Sequence, residues 1–90
     1  MATTEISLRD EVKQLLEENY PGSQVAVDHF FGAKRLNGHI IWSGFTGLDS
    51  VDRHQKLNQL LRQELGKKKS DEISIILAYT PREWEIAGED

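Results

Sequence analysis

Ninety residues, 38% of them apolar and 29% charged, fit one small globular domain whose single core must use nearly every apolar stretch. The absence of cysteine excludes disulfide staples, thiolate metal sites, a redox dithiol and a cysteine nucleophile. A formal charge of -4, from 11 basic and 15 acidic side chains, disfavours phosphate-backbone binding.

No apolar run approaches the roughly 18 residues of a membrane span, and MATTEISLRDEV lacks a signal-peptide core, so the expected location is cytoplasmic. Residues 8 to 19, LRDEVKQLLEEN, place Leu8, Val12, Leu15 and Leu16 on one side of a helix. Ser7 is its expected N-cap, with Asp10 three residues on, and Tyr20-Pro21-Gly22 ends it. QVAVDHFF then alternates Val25, Val27, His29 and Phe31 against Ala26, Asp28 and Phe30, the pattern of a strand. GAKRLNG reads as a turn and HIIWS as a β-rich run, so residues 24 to 31 and 38 to 43 are expected to form an antiparallel hairpin. Trp42 shares a face with Ile40 and is assigned to the core.

From Val51 the spacing is helical again, with Leu57, Leu60, Leu61 and Leu65 as the stripe, Asp49 or Ser50 as cap and Gly66 as stop. In SDEISIILAYTPREWE, residues 70 to 85, Ile73, Ile75, Leu77 and Tyr79 alternate with Ser74, Ile76 and Ala78. Both faces are apolar, as expected of an inner strand or one covered by helices. Thr80 caps a last short helix, with Pro81 at its first position, Glu83 closing a capping box and Trp84 turned inward. The order α-β-β-α-β-α implies an α+β sandwich with helices against one face of a sheet.

Chemistry-bearing residues are sparse. His29, His39 and His54 are the only imidazoles, and nothing in their spacing assembles them. His29 and His39 are the metal-ligand candidates. Asp28 and His29 point to opposite faces of a strand and cannot form a pair. No HExxH, P-loop or GxSxG is present, so no enzyme is read here. Gly44-Phe45-Thr46-Gly47 has the GxxG form that clamps nucleotide backbones, but it carries no base. The same residues read more simply as two turn glycines around an apolar anchor. The cationic patches are Lys34-Arg35 and Lys67-Lys68-Lys69, the latter at the end of a helix where the dipole favours it.

In its second half the chain resembles the BolA family. The resembling residues are Phe45-x-Gly47, the Arg53-His54 pair, Leu61 with Glu64-Leu65, and the strand running into Thr80-Pro81 and Glu83-Trp84, over about residues 43 to 85. The resemblance implies a class II KH-like α-β-β-α-α-β-α domain, helices packed on one side of a three-stranded mixed sheet. It spans residues 1 to 90, with a family-like core at about 8 to 86, and a short extra helical turn at residues 48 to 51.

The resemblance also implies a non-enzymatic adaptor that pairs with a monothiol glutaredoxin in iron-sulfur or redox homeostasis and shares a two-iron two-sulfur cluster with it. Its partner-binding residues here would be Lys34, Arg35, His39, Arg53, His54 and Glu72. The alternative is a KH-like nucleic-acid-binding or transcription-regulatory module using Gly44 to Gly47 and Lys67 to Lys69. This chain departs from the family at one position: Glu72 stands where the last strand ordinarily starts with a cluster-ligating histidine. The loop that ordinarily holds the second ligand is GAKRLN. Arg53 opposes the dipole at its helix start and needs a partner, either Asp49, Asp52 or another protein.

Overall fold

Helix α1 (Leu8–Asn19) begins where expected, with Ser7 Oγ accepting the Asp10 N–H at 3.2 Å. The computed structural model describes residues 7–29 and 35–88. Strand β1 (Gln24–His29) pairs antiparallel with β2 (Leu36–Ile41), and β2 pairs parallel with β3 (Ile73–Tyr79). A 3-10 turn at Ser43–Phe45 precedes the long helix α2 (Ser50–Ser70), and α3 (Pro81–Gly88) follows β3. The short helical element therefore lies at Ser43–Phe45, not at residues 48 to 51, and Ser50 and Val51 already belong to α2.

The sheet order is β1-β2-β3. Val25 and Val27 of β1, Ile40 of β2, and Ile76 and Ala78 of β3 lie on one face, beneath α1 and α2. There Val12 and Leu16 of α1 and Leu57 and Leu61 of α2 close over Leu36, Ile40 and Ile76, with Phe45 inserted from the 3-10 turn. Helix α2 breaks at Gly66 (φ 84°, ψ 167°), the expected stop, and one further turn leads to Asp71. Lys69 Nζ reaches Glu11 at 3.0 Å and ties that end of α2 to α1.

Three expectations change. Strand β2 starts at Leu36, two residues earlier than its β-rich run, because Leu36 is a fully buried core residue. Gly38 belongs to this strand: a Cβ there would run into the Ala26 carbonyl oxygen and come to 2.9 Å of the Val27 Cα. Strand β3 is an edge strand, and Ile75 and Leu77 are exposed at 42% and 39%. Trp84 faces outward, 40% exposed. Phe30, Phe31 and Lys34, assigned to the first strand and its turn, lie outside the described residues.

Candidate functional site

Two regions carry the polar chemistry of the described residues, one at each end of β3. At its C-terminal end, Thr80 and Glu83 form the expected capping box. Glu83 Oε1 accepts the Thr80 N–H at 2.8 Å and Thr80 Oγ1 accepts the Glu83 N–H at 3.2 Å. The same carboxylate receives Arg53 in a forked contact, Nη1 to Oε1 at 2.6 Å and Nη2 to Oε2 at 3.3 Å. Arg53 Nη1 also donates to the Ala78 carbonyl at 3.2 Å, and its guanidinium lies 5.8 Å from the centre of the Phe45 ring.

Arg53 is thus buried, only 6% exposed, and its partner is Glu83 rather than Asp49 or Asp52. It joins α2, β3 and α3 at one point. This resolves the anomaly of a cation at a helix start: the charge is compensated from another element. The Arg53 hydrogen bonds, then the Thr80 N–H, lower the Glu83 pKa to about 2.

A carboxylate whose folded pKa is depressed adds stability above its unfolded value near 4.5, lost as pH falls towards 2. The α3 junction is therefore expected to loosen across that window, and the Trp84 fluorescence should change there. A Trp84 signal that is flat from pH 5 to 2 while the rest of the fold melts would contradict this.

Trp84 stacks on His39, ring centres 4.3 Å apart at 24°, and lies 5.4 Å from Tyr79. His39, Leu77 and Tyr79 alternate with the core-facing residues, so Trp84 covers part of the sheet face away from α1 and α2. Asn37, Ile75, Leu77 and Trp84 border a shallow groove of about 350 Å³ on that face. Partial burial lowers the His39 pKa.

At the other end of β3, Leu36 N–H donates to the Glu72 carbonyl at 2.8 Å, which sets Arg35 and Glu72 side by side where β2 and β3 begin. Both are exposed. His39 is not part of this corner: it pairs with Leu77, five residues beyond Glu72, or ~16 Å along a strand. His29 pairs with Leu36 at the same end of the sheet, but on β1, about 10 Å across two strand spacings from β3. His54 is half-buried on α2. Among the described residues no group of three or more His, Cys, Asp and Glu side chains is placed to hold a metal ion. With no thiol in the chain, a carboxylate at position 72 and His39 stacked elsewhere, the donors of this corner do not fit a shared two-iron two-sulfur cluster.

The GFTG segment has a structural account at each residue. Phe45 is buried between Tyr20, Trp42 and the Arg53 guanidinium, with ring centres 5.5 and 5.2 Å away for the two aromatics. Gly44 lies under the Trp42 indole, which would collide with any Cβ, and Gly47 turns the chain at φ 87°. Thr46 Oγ1 donates to the Ser43 carbonyl at 2.7 Å. Lys69 pairs with Glu11, while Lys67 and Lys68 are exposed on the broken end of α2.

Sequence reasoning missed Glu83 as the partner of Arg53 and Trp84 as part of the outer sheet face. The available signal for the second was the charge-free alternation of β3, in which one apolar row has no helix to cover it.

No protein-family profile matches the sequence, and no curated protein matches it. Solved structures do. BolA1 from Arabidopsis thaliana superimposes with a TM-score of 0.67 at 22% identity, covering 88% of this chain and 98% of that one. The BolA domain of SufE1 from Arabidopsis thaliana gives 0.66 at 25% identity, with 89% and 99% covered. A bol-like protein from Babesia bovis gives 0.66 at 21% identity, with 98% and 100% covered. The fold of this chain is similar to that of BolA proteins over nearly its whole length.

Proposed function

We propose that the chain is a protein-binding adaptor that docks a monothiol glutaredoxin at the Arg35–Glu72 corner and supplies no ligand to a cluster held there. The observation that supports this reading is that Glu72 and Arg35, both exposed, stand at the adjacent starts of β3 and β2, where the resemblance implies a ligating histidine on β3. A carboxylate and a guanidinium at adjacent strand starts form a charged recognition pair, selective for a partner of complementary charge. Hard carboxylate oxygen is a poor substitute for imidazole or thiolate on a sulfide-bridged iron.

His54 stands next to Arg53 at the opposite end of β3, outside this corner, and Arg53 there fixes α2 to β3 and α3. The role is in iron-sulfur or redox homeostasis, by contact rather than by ligation. Titration of the labelled chain with a monothiol glutaredoxin should move the amide resonances of Arg35, Leu36 and Glu72. An unchanged spectrum at high micromolar partner would remove the partnership. Shifts on adding RNA or DNA oligonucleotides, centred on Gly44 to Gly47, would support the nucleic-acid reading in its place.

A further inference from the structure

The three lysines before Ser70 are more than the fold uses. Lys69 Nζ reaches Glu11, but among the described residues the cations in ion pairs are only Arg9, Arg53 and Lys69. Lys67 and Lys68 are exposed and have no such partner there. Cations directly before a serine form a charge pattern that an acidic groove can read. Basic-directed serine kinases select this pattern, binding the cations two and three residues before the acceptor hydroxyl with carboxylates of their own.

The structure presents this serine at the surface. Ser70 ends α2 half-buried, and its Oγ donates to the Lys67 carbonyl at 3.1 Å. The break at Gly66 makes residues 67 to 70 one separate turn, and none of residues 66 to 72 is buried. The turn is held by the Asp71 N–H on the Lys67 carbonyl at 2.9 Å, the Glu72 N–H on the Lys69 carbonyl at 3.1 Å, and the Lys69–Glu11 pair. A turn with so few bonds and no buried residue can open into a kinase groove while the core stays folded.

A place for the product is also built. Ser70 lines a pocket of about 230 Å³ with Asn58, Leu61, Arg62, Asp71 and Ile73. Arg62 is exposed and, like Lys67 and Lys68, is in none of those ion pairs. A phosphate on Ser70 would be repelled by Asp71, by Glu72 and by the helix C-terminus. The Arg62 guanidinium offsets this by forked hydrogen bonds to two of its oxygens.

We propose that Ser70 is a phosphorylation site for a basic-directed serine kinase, and that Arg62 holds the phosphate across this pocket. In the transfer Ser70 Oγ attacks the γ-phosphorus of ATP. The Oγ–P bond forms, the bond to the leaving ADP oxygen breaks, and the hydroxyl proton passes to the kinase's catalytic aspartate. The modification adds about two negative charges two residues before Glu72. Its effect on docking rests on the Arg35–Glu72 corner being the docking surface, whereas the phosphorylation itself does not.

The test incubates the full chain with magnesium ATP and the catalytic subunit of cyclic-AMP-dependent kinase. Expected is the gain of one phosphoryl group, mapped to Ser70 by mass spectrometry of fragments and abolished by Ser70→Ala. Lys67→Ala with Lys68→Ala should slow the transfer at least about tenfold, by removing two charge-assisted contacts to the kinase. Lys56→Ala, at an exposed cation elsewhere on α2, should leave the rate unchanged. Phosphorus NMR of the product should place the second ionisation of the phosphate below its ordinary value of about 6, and Arg62→Gln should raise it. No transfer to Ser70, or a rate indifferent to Lys67 and Lys68, overturns the site. An ionisation indifferent to Arg62→Gln overturns the capture of the phosphate.

Discussion

Phe45→Ala is expected to cost about 3–5 kcal/mol of folding stability, a large share of what a domain of this size has. The ring is 1% exposed and is the largest fully buried side chain. It fills the space between Tyr20, Trp42 and Arg53, and all three would border the cavity left by its removal. The surrounding elements cannot collapse into that cavity freely, because the Trp42 indole is held by its Nε1 donating to the Pro21 carbonyl at 3.0 Å. Phe45→Leu retains most of the volume and should cost less than about 1.5 kcal/mol. Urea unfolding of both variants decides the matter. A loss below about 1 kcal/mol for Phe45→Ala would show that the segment is a surface loop with a replaceable side chain.

Arg53→Met is expected to lower stability by about 1.5–3 kcal/mol while preserving the aliphatic volume of the side chain. The change removes the forked contact to Glu83 and the donor to the Ala78 carbonyl, and leaves both acceptors nearer solvent. Because the Glu83 carboxylate is nearly half exposed, water takes over part of its solvation, and the cost stays below that of breaking a wholly buried pair. A double-mutant cycle with Glu83→Gln separates the contact from local effects: the second substitution should matter far less once Arg53 is gone. Trp84 fluorescence should report loosening of α3 in each single variant. Strictly additive effects would mean that the two side chains act independently.

The local chemistry of this fold was legible in the sequence, and the long-range assembly much less so. Ser7 with Asp10 and Thr80 with Glu83 make their caps with partners three residues away, so spacing alone identifies them. The leucine stripes of α1 and α2 reveal their buried faces for the same reason. Arg53 and Glu83 are 30 residues apart, and only the parallel crossover from β2 to β3 brings them together. The charge of Arg53 against the dipole announced the need for a partner without naming it.

Leu36-Asn37-Gly38 looked like turn chemistry because Asn-Gly is a turn signal, yet the burial of Leu36 draws all three into β2. Alternation in β3 grouped Ile75, Leu77 and Tyr79 correctly, but the register shift between Leu36 and Asn37 turns Ile73 to the core, and alternation did not say which face would receive a helix. Both helices of the long layer went to the Ile76 side, and Trp84 came to rest on the other, against His39. Of the candidate site, Glu72 was found by its place before Tyr79-Thr80-Pro81. Its adjacency to Arg35 depended on the parallel register of β2 and β3.

In the proposed function the chain meets its partner without contributing a cluster ligand. This is tested most directly by the visible circular dichroism of a cluster-loaded monothiol glutaredoxin, mixed with the chain under conditions where amide shifts report binding. Shifts at Arg35 and Glu72 with an unchanged cluster spectrum are expected, and a changed spectrum only when Glu72→His places an imidazole at the start of β3. A cluster spectrum altered by the natural sequence would contradict it, because a ligand would then have been supplied from this chain.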